Sequence, residues 1–183
     1  MKPGLAESER QPASDSAAES STPAPQALLE VGWIVAGKLD DADHRAVLQA
    51  RDAVLAYLRR TLPQFHWQMP LLEREEMVSS LLVEPVALLD EGVTERNLKH
   101  WDFTVLLTSA DLVSHYKRDA VAAVSRSLEG AVISTSRIDP QARHDSDHLQ
   151  ERVATIARRV EVLVLHSLGH WGRLAHVDRP DNY

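Results

Sequence analysis

The stretch HSLGHWGRLAH, residues 166–176, decides how the rest of the chain is read. Its histidines stand at positions 166, 170 and 176. Residues four apart on a helix project from one face, so His166 and His170 can approach one cation together. His176 joins them only if the chain leaves the helix soon after His170. Gly172 is the residue expected to take that turn, because glycine adopts the left-handed backbone at no steric cost. With nine histidines in 183 residues, this spacing arises by chance at roughly 0.02 per chain as a crude motif background. Spacing alone therefore leaves two readings evenly matched. One is a zinc site; the other is a helix end where histidines are favoured by the dipole and the last free carbonyls.

Composition narrows the chemistry. The net charge of −7 offers no basic field to hold a phosphate backbone, so no nucleic acid partner is expected. The absence of cysteine removes disulfides, thiolate zinc sites and a cysteine nucleophile, and leaves imidazole and carboxylate as metal ligands. The start, MKPGLAESERQPASDS, lacks the apolar stretch of a signal peptide. No run approaches the ~18 apolar residues of a membrane span, which predicts a soluble cytoplasmic protein without a membrane partner. Oligomeric state is not legible.

Residues 1–26 are rich in Ala, Ser, Glu and Pro, so ordering them would cost entropy with little apolar burial in return, and a disordered tail is expected there. From Leu28, LLEVGWIVAGKL reads as a strand. Asp40, Asp41 and Asp43 then suit a helix start, and Val47, Val54, Leu55, Leu58 and Leu62 recur at helical spacing up to Pro63. FHWQMPLLERE reads as an edge strand or extended loop because of its internal proline. A short helix over 84–99 is expected to carry Val86, Leu89 and Val93, ahead of a buried strand in WDFTVLLTS. ADLVSHY reads as a turn or short helix. Residues 120–139 divide at Glu129-Gly130 into two extended segments, or a helix and a strand. A last long helix starts near Asp147 and Gln150, a capping-box-like pair, and places Leu149, Val153, Ile156, Val160 and Leu163 on one face before reaching the histidines. The sum is one α+β domain over residues 27–183, with a mixed twisted sheet and a long helix ending in the candidate ligands.

The same residues carry a family resemblance. His166, Leu168, Gly169, His170, Leu174 and His176 resemble the HExxHxxGxxH helix of metzincin zinc peptidases, and of archaemetzincin-like ones in particular. WDFTVLLTSADL and GAVISTSRID are similar to that family's strands ahead of the helix. The resemblance implies a metzincin-like domain in which His166, His170 and His176 hold one zinc ion and zinc-activated water hydrolyses a peptide. It also implies that the strand over Gly130–Ser136 borders a cleft, where an extended peptide can pair with it.

Three departures bear on catalysis. Ser167 stands where the family has its general-base glutamate, and a hydroxyl of very high pKa does not take up a proton near neutrality. Losing such a base costs ~10²–10⁴-fold in rate. Arg173 replaces the family glycine. The family's methionine turn should follow the third histidine closely, yet none precedes Tyr183, so either the sequence is a fragment or the C-terminal subdomain is short or missing. The chain thus reads as a degenerate metallopeptidase relative, impaired in catalysis and without an assigned catalytic residue. The competing reading is a metal-free, non-catalytic interaction domain.

Several lesser features have ordinary readings. HDSDH, residues 144–148, is foremost the acidic first turn of the last helix, and only secondarily a weak cation site. Asp178 reads as an exposed loop residue rather than a partner of a ligand imidazole. The four tryptophans are core anchors, with Trp171 alone placed to wall the site. Ser134 and Ser136 lack the glycine elbow of a nucleophile and read as strand residues.

Overall fold

The computed structural model describes residues 26–113, 120–139 and 149–174. The expected tail up to Pro25, HDSDH, the capping Asp147, His176 and Asp178 lie outside them. In chain order the described elements are β1 (Ala27–Ala36), α1 (Asp41–Thr61), β2 (Phe65–Gln68), β3 (Leu71–Arg74), β4 (Leu82–Val83), α2 (Pro85–Lys99), β5 (Phe103–Thr108), β6 (Asp111–Leu112), β7 (Ala122–Ser125), β8 (Gly130–Ser134) and α3 (Leu149–Trp171). A mixed sheet runs β2-β1-β5-β8-β7, with β3 continuing β2 along the same edge of β1. All its pairings are parallel except β7 with β8.

The strands are apolar on both faces because helices cover both faces. On β1, Val31, Trp33 and Val35 join one core with α1 and α3, while Ile34 and Ala36 join a second core with Leu88 and Leu89 of α2. The same alternation sends Val105 and Leu107 of β5 to the first core and Leu106 to the second. On α1, Ala46, Val47, Ala50, Val54 and Leu58 are buried at helical spacing, and Asp40 caps the helix by accepting the Asp43 amide at 2.7 Å.

The structure bears out some expectations and corrects others. The segment read as an edge strand or loop is two edge strands separated at Met69-Pro70, where a missing N–H is tolerated. On α2 the residues facing the core are Leu88, Leu89 and Gly92, whereas Val86 is 62% exposed. ADLVSHY contains a strand, β6, paired in parallel with β4, because Leu81 and Val83 supply carbonyls to the Asp111 and Val113 amides. Of the alternatives for residues 120–139, the two extended segments are observed as β7 and β8. However, β8 lies between β5 and β7 and is buried throughout. It cannot accept a peptide on either side, so the strand at the sheet edge is β7 rather than Gly130–Ser136.

Among the described residues no helix is long and apolar enough to cross a membrane.

Candidate metal centre

The inner face of α3 is an unbroken stripe of Val153, Ile156, Ala157, Val160, Val164 and Ser167. Leu163, expected on this face, is half-buried beside it. Packing of the stripe against α1 and the sheet fixes the rotation of the helix, so the neighbouring positions 166 and 170 fall on its flank. His166 is exposed and His170 half-buried. Their Nε2 atoms converge to 3.0 Å, with the rings edge to face at 88°.

This separation can be tested against a metal. Two imidazoles at ~2.05 Å from one zinc ion in tetrahedral geometry hold their nitrogens about 3.3 Å apart, and 3.0 Å corresponds to an angle of about 94° at the ion. The pair therefore fits two vertices of one coordination shell. The same distance also fits a hydrogen bond in which one neutral ring donates N–H to the other. Among the described residues no cluster of three or more His, Cys, Asp or Glu suited to a metal occurs.

The end of α3 departs from expectation. The left-handed residue is Arg173, at φ 57°, and not Gly172. The Arg173 amide donates to the His170 carbonyl at 3.2 Å, and the Leu174 amide reaches back to the Gly169 carbonyl at 2.9 Å. These two bonds form a Schellman closure with Arg173 at the position that usually holds glycine. Leu174 folds back over Gly169, whose missing Cβ would lie 3.9 Å from the leucine Cδ1. The turn thus falls at Arg173, at a steric cost of roughly 1–2 kcal/mol for a side chain in this conformation.

Trp171 does not wall the site. Its ring stacks on Phe103 at 4.9 Å and 4°, and its Nε1 donates to the Ser125 carbonyl of β7 at 3.3 Å. It pins the helix end to the sheet one residue after His170. Sequence reasoning missed these partners, although period-2 alternation with Val105 and Leu107 already puts Phe103 on the α3 side of β5.

Ser167 is only 1% exposed, and its hydroxyl donates to the Leu163 carbonyl at 2.8 Å. It is a satisfied core residue of its own helix. Ser134 lies at the end of β8 and donates to the Ala110 carbonyl at 2.6 Å, and Ser136 donates to Asp111 at 2.6 Å. Both are structural.

No protein-family model matches the sequence, and no curated protein matches it. Solved structures do. Archaemetzincin from Methanopyrus kandleri superposes with a TM-score of 0.55 at 20% identity, covering 84% of this chain and 77% of that one. The fold is archaemetzincin-like. A zinc-dependent peptidase from Methanocorpusculum labreanum (strain Z) superposes with a TM-score of 0.53 at 14% identity, covering 82% of this chain and 84% of that one. At these identities the likeness concerns architecture alone.

Proposed function

We propose that this chain is a zinc-binding, metallopeptidase-like protein whose catalysis is weakened by the serine at position 167. The observation that carries the reading is the convergence of the His166 and His170 Nε2 atoms to 3.0 Å at the end of the long helix of an archaemetzincin-like fold. In this reading His176 is the third ligand to one zinc ion. When bound, zinc supplies a Lewis acid that lowers the pKa of a water to about 7. The chain's own residues supply the rest. Trp171 and the Schellman closure hold His170 in place, and the outer edge of β7 offers backbone groups to an extended peptide. Ser167 contributes no proton transfer, since its hydroxyl is spent on Leu163. We read the protein as soluble and cytoplasmic, with a peptide as its substrate or ligand.

A second reading, a metal-free interaction domain, is favoured by the same Nε2 contact taken as a hydrogen bond and by the buried serine. Metal content separates the two. Purified protein is expected to carry one zinc per chain, to lose stability with chelator, and to lose the metal in His166→Ala and His170→Ala. Wild-type protein that is metal-free after zinc reconstitution, and equally stable with chelator, overturns the proposal.

A further inference from the structure

A pocket of about 460 Å³ opens where the end of α2 meets the start of β5 and the turn between β7 and β8. Its volume lies in the range of small-ligand sites. The polar groups around it are not equivalent. The Arg96 side chain is 16% exposed; its Nη1 donates to the Glu129 carboxylate and the Leu128 carbonyl, and its Nη2 to the Asn97 side-chain oxygen at 3.3 Å. The Arg96 and Glu129 charges offset each other. Asp102 has no such partner. One of its oxygens accepts the Glu30 amide at 2.8 Å, while the other accepts no hydrogen bond from the described residues. The same is true of the second Glu129 oxygen. The pocket, which His100 also lines, therefore presents spare carboxylate acceptors and, with His100 counted as neutral, a formal charge of −1 beside Trp101 and Phe103. That composition suits a cation with an alkyl stem, through charge-assisted hydrogen bonds and an aromatic wall.

The pocket is also placed relative to the sheet edge. Glu129 directly precedes Gly130, which pairs with Ser125 at the end of β7. Phe103 backs onto Trp171, next to His170. A peptide running antiparallel to β7 would have its amino-terminal residues beside Ser125, at the pocket end. We propose that this pocket binds the ammonium or guanidinium side chain of a basic residue on the amino-terminal side of a bound peptide. The peptide's placement rests on the peptidase-like reading above; the pocket's preference for a cation does not.

The experiment titrates the full chain with Nα-acetyl-lysine amide and, as an analogue that keeps the four-carbon stem without the ammonium, Nα-acetyl-norleucine amide, following backbone and indole NMR resonances. The lysine probe is expected to give saturable shifts centred on Trp101, Asp102 and Glu129, with binding at least tenfold tighter than norleucine. Asp102→Asn preserves the acceptor for Glu30 and should lower lysine affinity tenfold or more without moving norleucine. Glu129→Gln should weaken the lysine probe as well. Equal binding of the two probes, or lysine shifts centred elsewhere or absent, overturns the proposal. The titration is run with and without zinc and on His166→Ala. Lysine binding that persists when no zinc binds leaves the pocket standing while the metal reading fails, and loss of lysine binding in a zinc-loaded protein does the reverse.

Discussion

Placing a glutamate at position 167 asks whether that position belongs to the core or to a metal site. On a helix, residue 167 lies about 100° around the axis from 166 and about 60° from 170, so a carboxylate there can reach a cation held by both rings. Without the cation it is a burden. Ser167 is 1% exposed and already satisfied by Leu163, and a buried carboxylate without a partner keeps its proton instead of ionising. Holding a glutamate of ordinary pKa ~4.3 neutral at pH 7 costs about 3.7 kcal/mol at ~1.36 kcal/mol per pH unit, and about 1.6 kcal/mol at pH 5.5. The extra side-chain volume adds roughly 1–3 kcal/mol that does not vary with pH. The metal-free Ser167→Glu variant should therefore be less stable than wild type, with a gap that widens by about 2 kcal/mol between pH 5.5 and 7. The direction follows from a carboxyl whose folded pKa is raised: stability present at low pH is lost as pH rises.

Zinc reverses the balance, because the ionised carboxylate then faces a cation instead of an empty interior. Urea unfolding of both proteins, with chelator and with zinc at each pH, reads the effect directly. The zinc-induced gain should be larger in the variant, and peptidase turnover measured in parallel should rise above wild type. Equal zinc gains in the two proteins would refute the reasoning, since position 167 would then be core with no electrostatic view of the histidines. A variant as stable as wild type at pH 7 with chelator would refute the burial argument itself.

Three other outcomes follow from the structure. In Gly32→Ala the new Cβ would lie 1.8 Å from Trp101 Cε3, so the indole must move, at a cost of about 3 kcal/mol or roughly 6–12 °C in Tm; thermal melts of Gly32→Ala, Trp101→Leu and the double variant should show the leucine relieving most of the penalty, and additive losses would sink this account. Arg173→Gly removes the left-handed strain and should stabilise the protein by about 0.5–1 kcal/mol in denaturant titrations, net of the greater freedom of glycine when unfolded; a loss of stability would mean that the arginine side chain outweighs its backbone cost. The Asp43 carboxyl is raised above its ordinary 3.8 by burial, with Asp40 and Asp139 adding to the effect and Thr135 and Arg152 opposing it, so its contribution declines as pH rises from about 4 through the folded value. Asp43→Asn, which keeps an acceptor for the Thr135 hydroxyl, should flatten that part of the stability profile, and an unchanged profile would show the carboxyl to be ordinary.

Legibility followed the range of the interaction that sets each feature. The burial of Val31–Ala36, the α1 stripe and the α3 stripe are local periodicities, and the sequence displays them directly. Strand order is not local. Which of the two segments around Glu129-Gly130 lies at the edge depends on β8 pairing with β5, residues that are more than twenty positions away. The strand β6 is two residues long and exists because β4 offers carbonyls to it, so no pattern of its own could reveal it. At the helix end, glycine preference pointed to Gly172. The observed turn at Arg173 is decided by where the last two backbone bonds close, and that energy outweighs a local propensity of about 1 kcal/mol. The pocket escaped notice because Asp102, Arg96 and Glu129 converge from a strand start, a helix and a turn.

The means by which the histidine pair is held bears on how it would bind a metal. His170 is fixed from two sides: by the closure that its own carbonyl and that of Gly169 make with the following amides, and by Trp171, anchored to β5 and β7. These contacts, all among the described residues, hold the end of α3 that carries the pair against the sheet. Ligands already held in place lose little conformational freedom when a metal binds. In the zinc-binding reading, removing His166 or His170 takes away one of the two converged rings. Replacing His176 should weaken zinc binding while leaving a measurable two-histidine affinity, and zinc titrations of the three alanine variants would show whether the losses fall in that order.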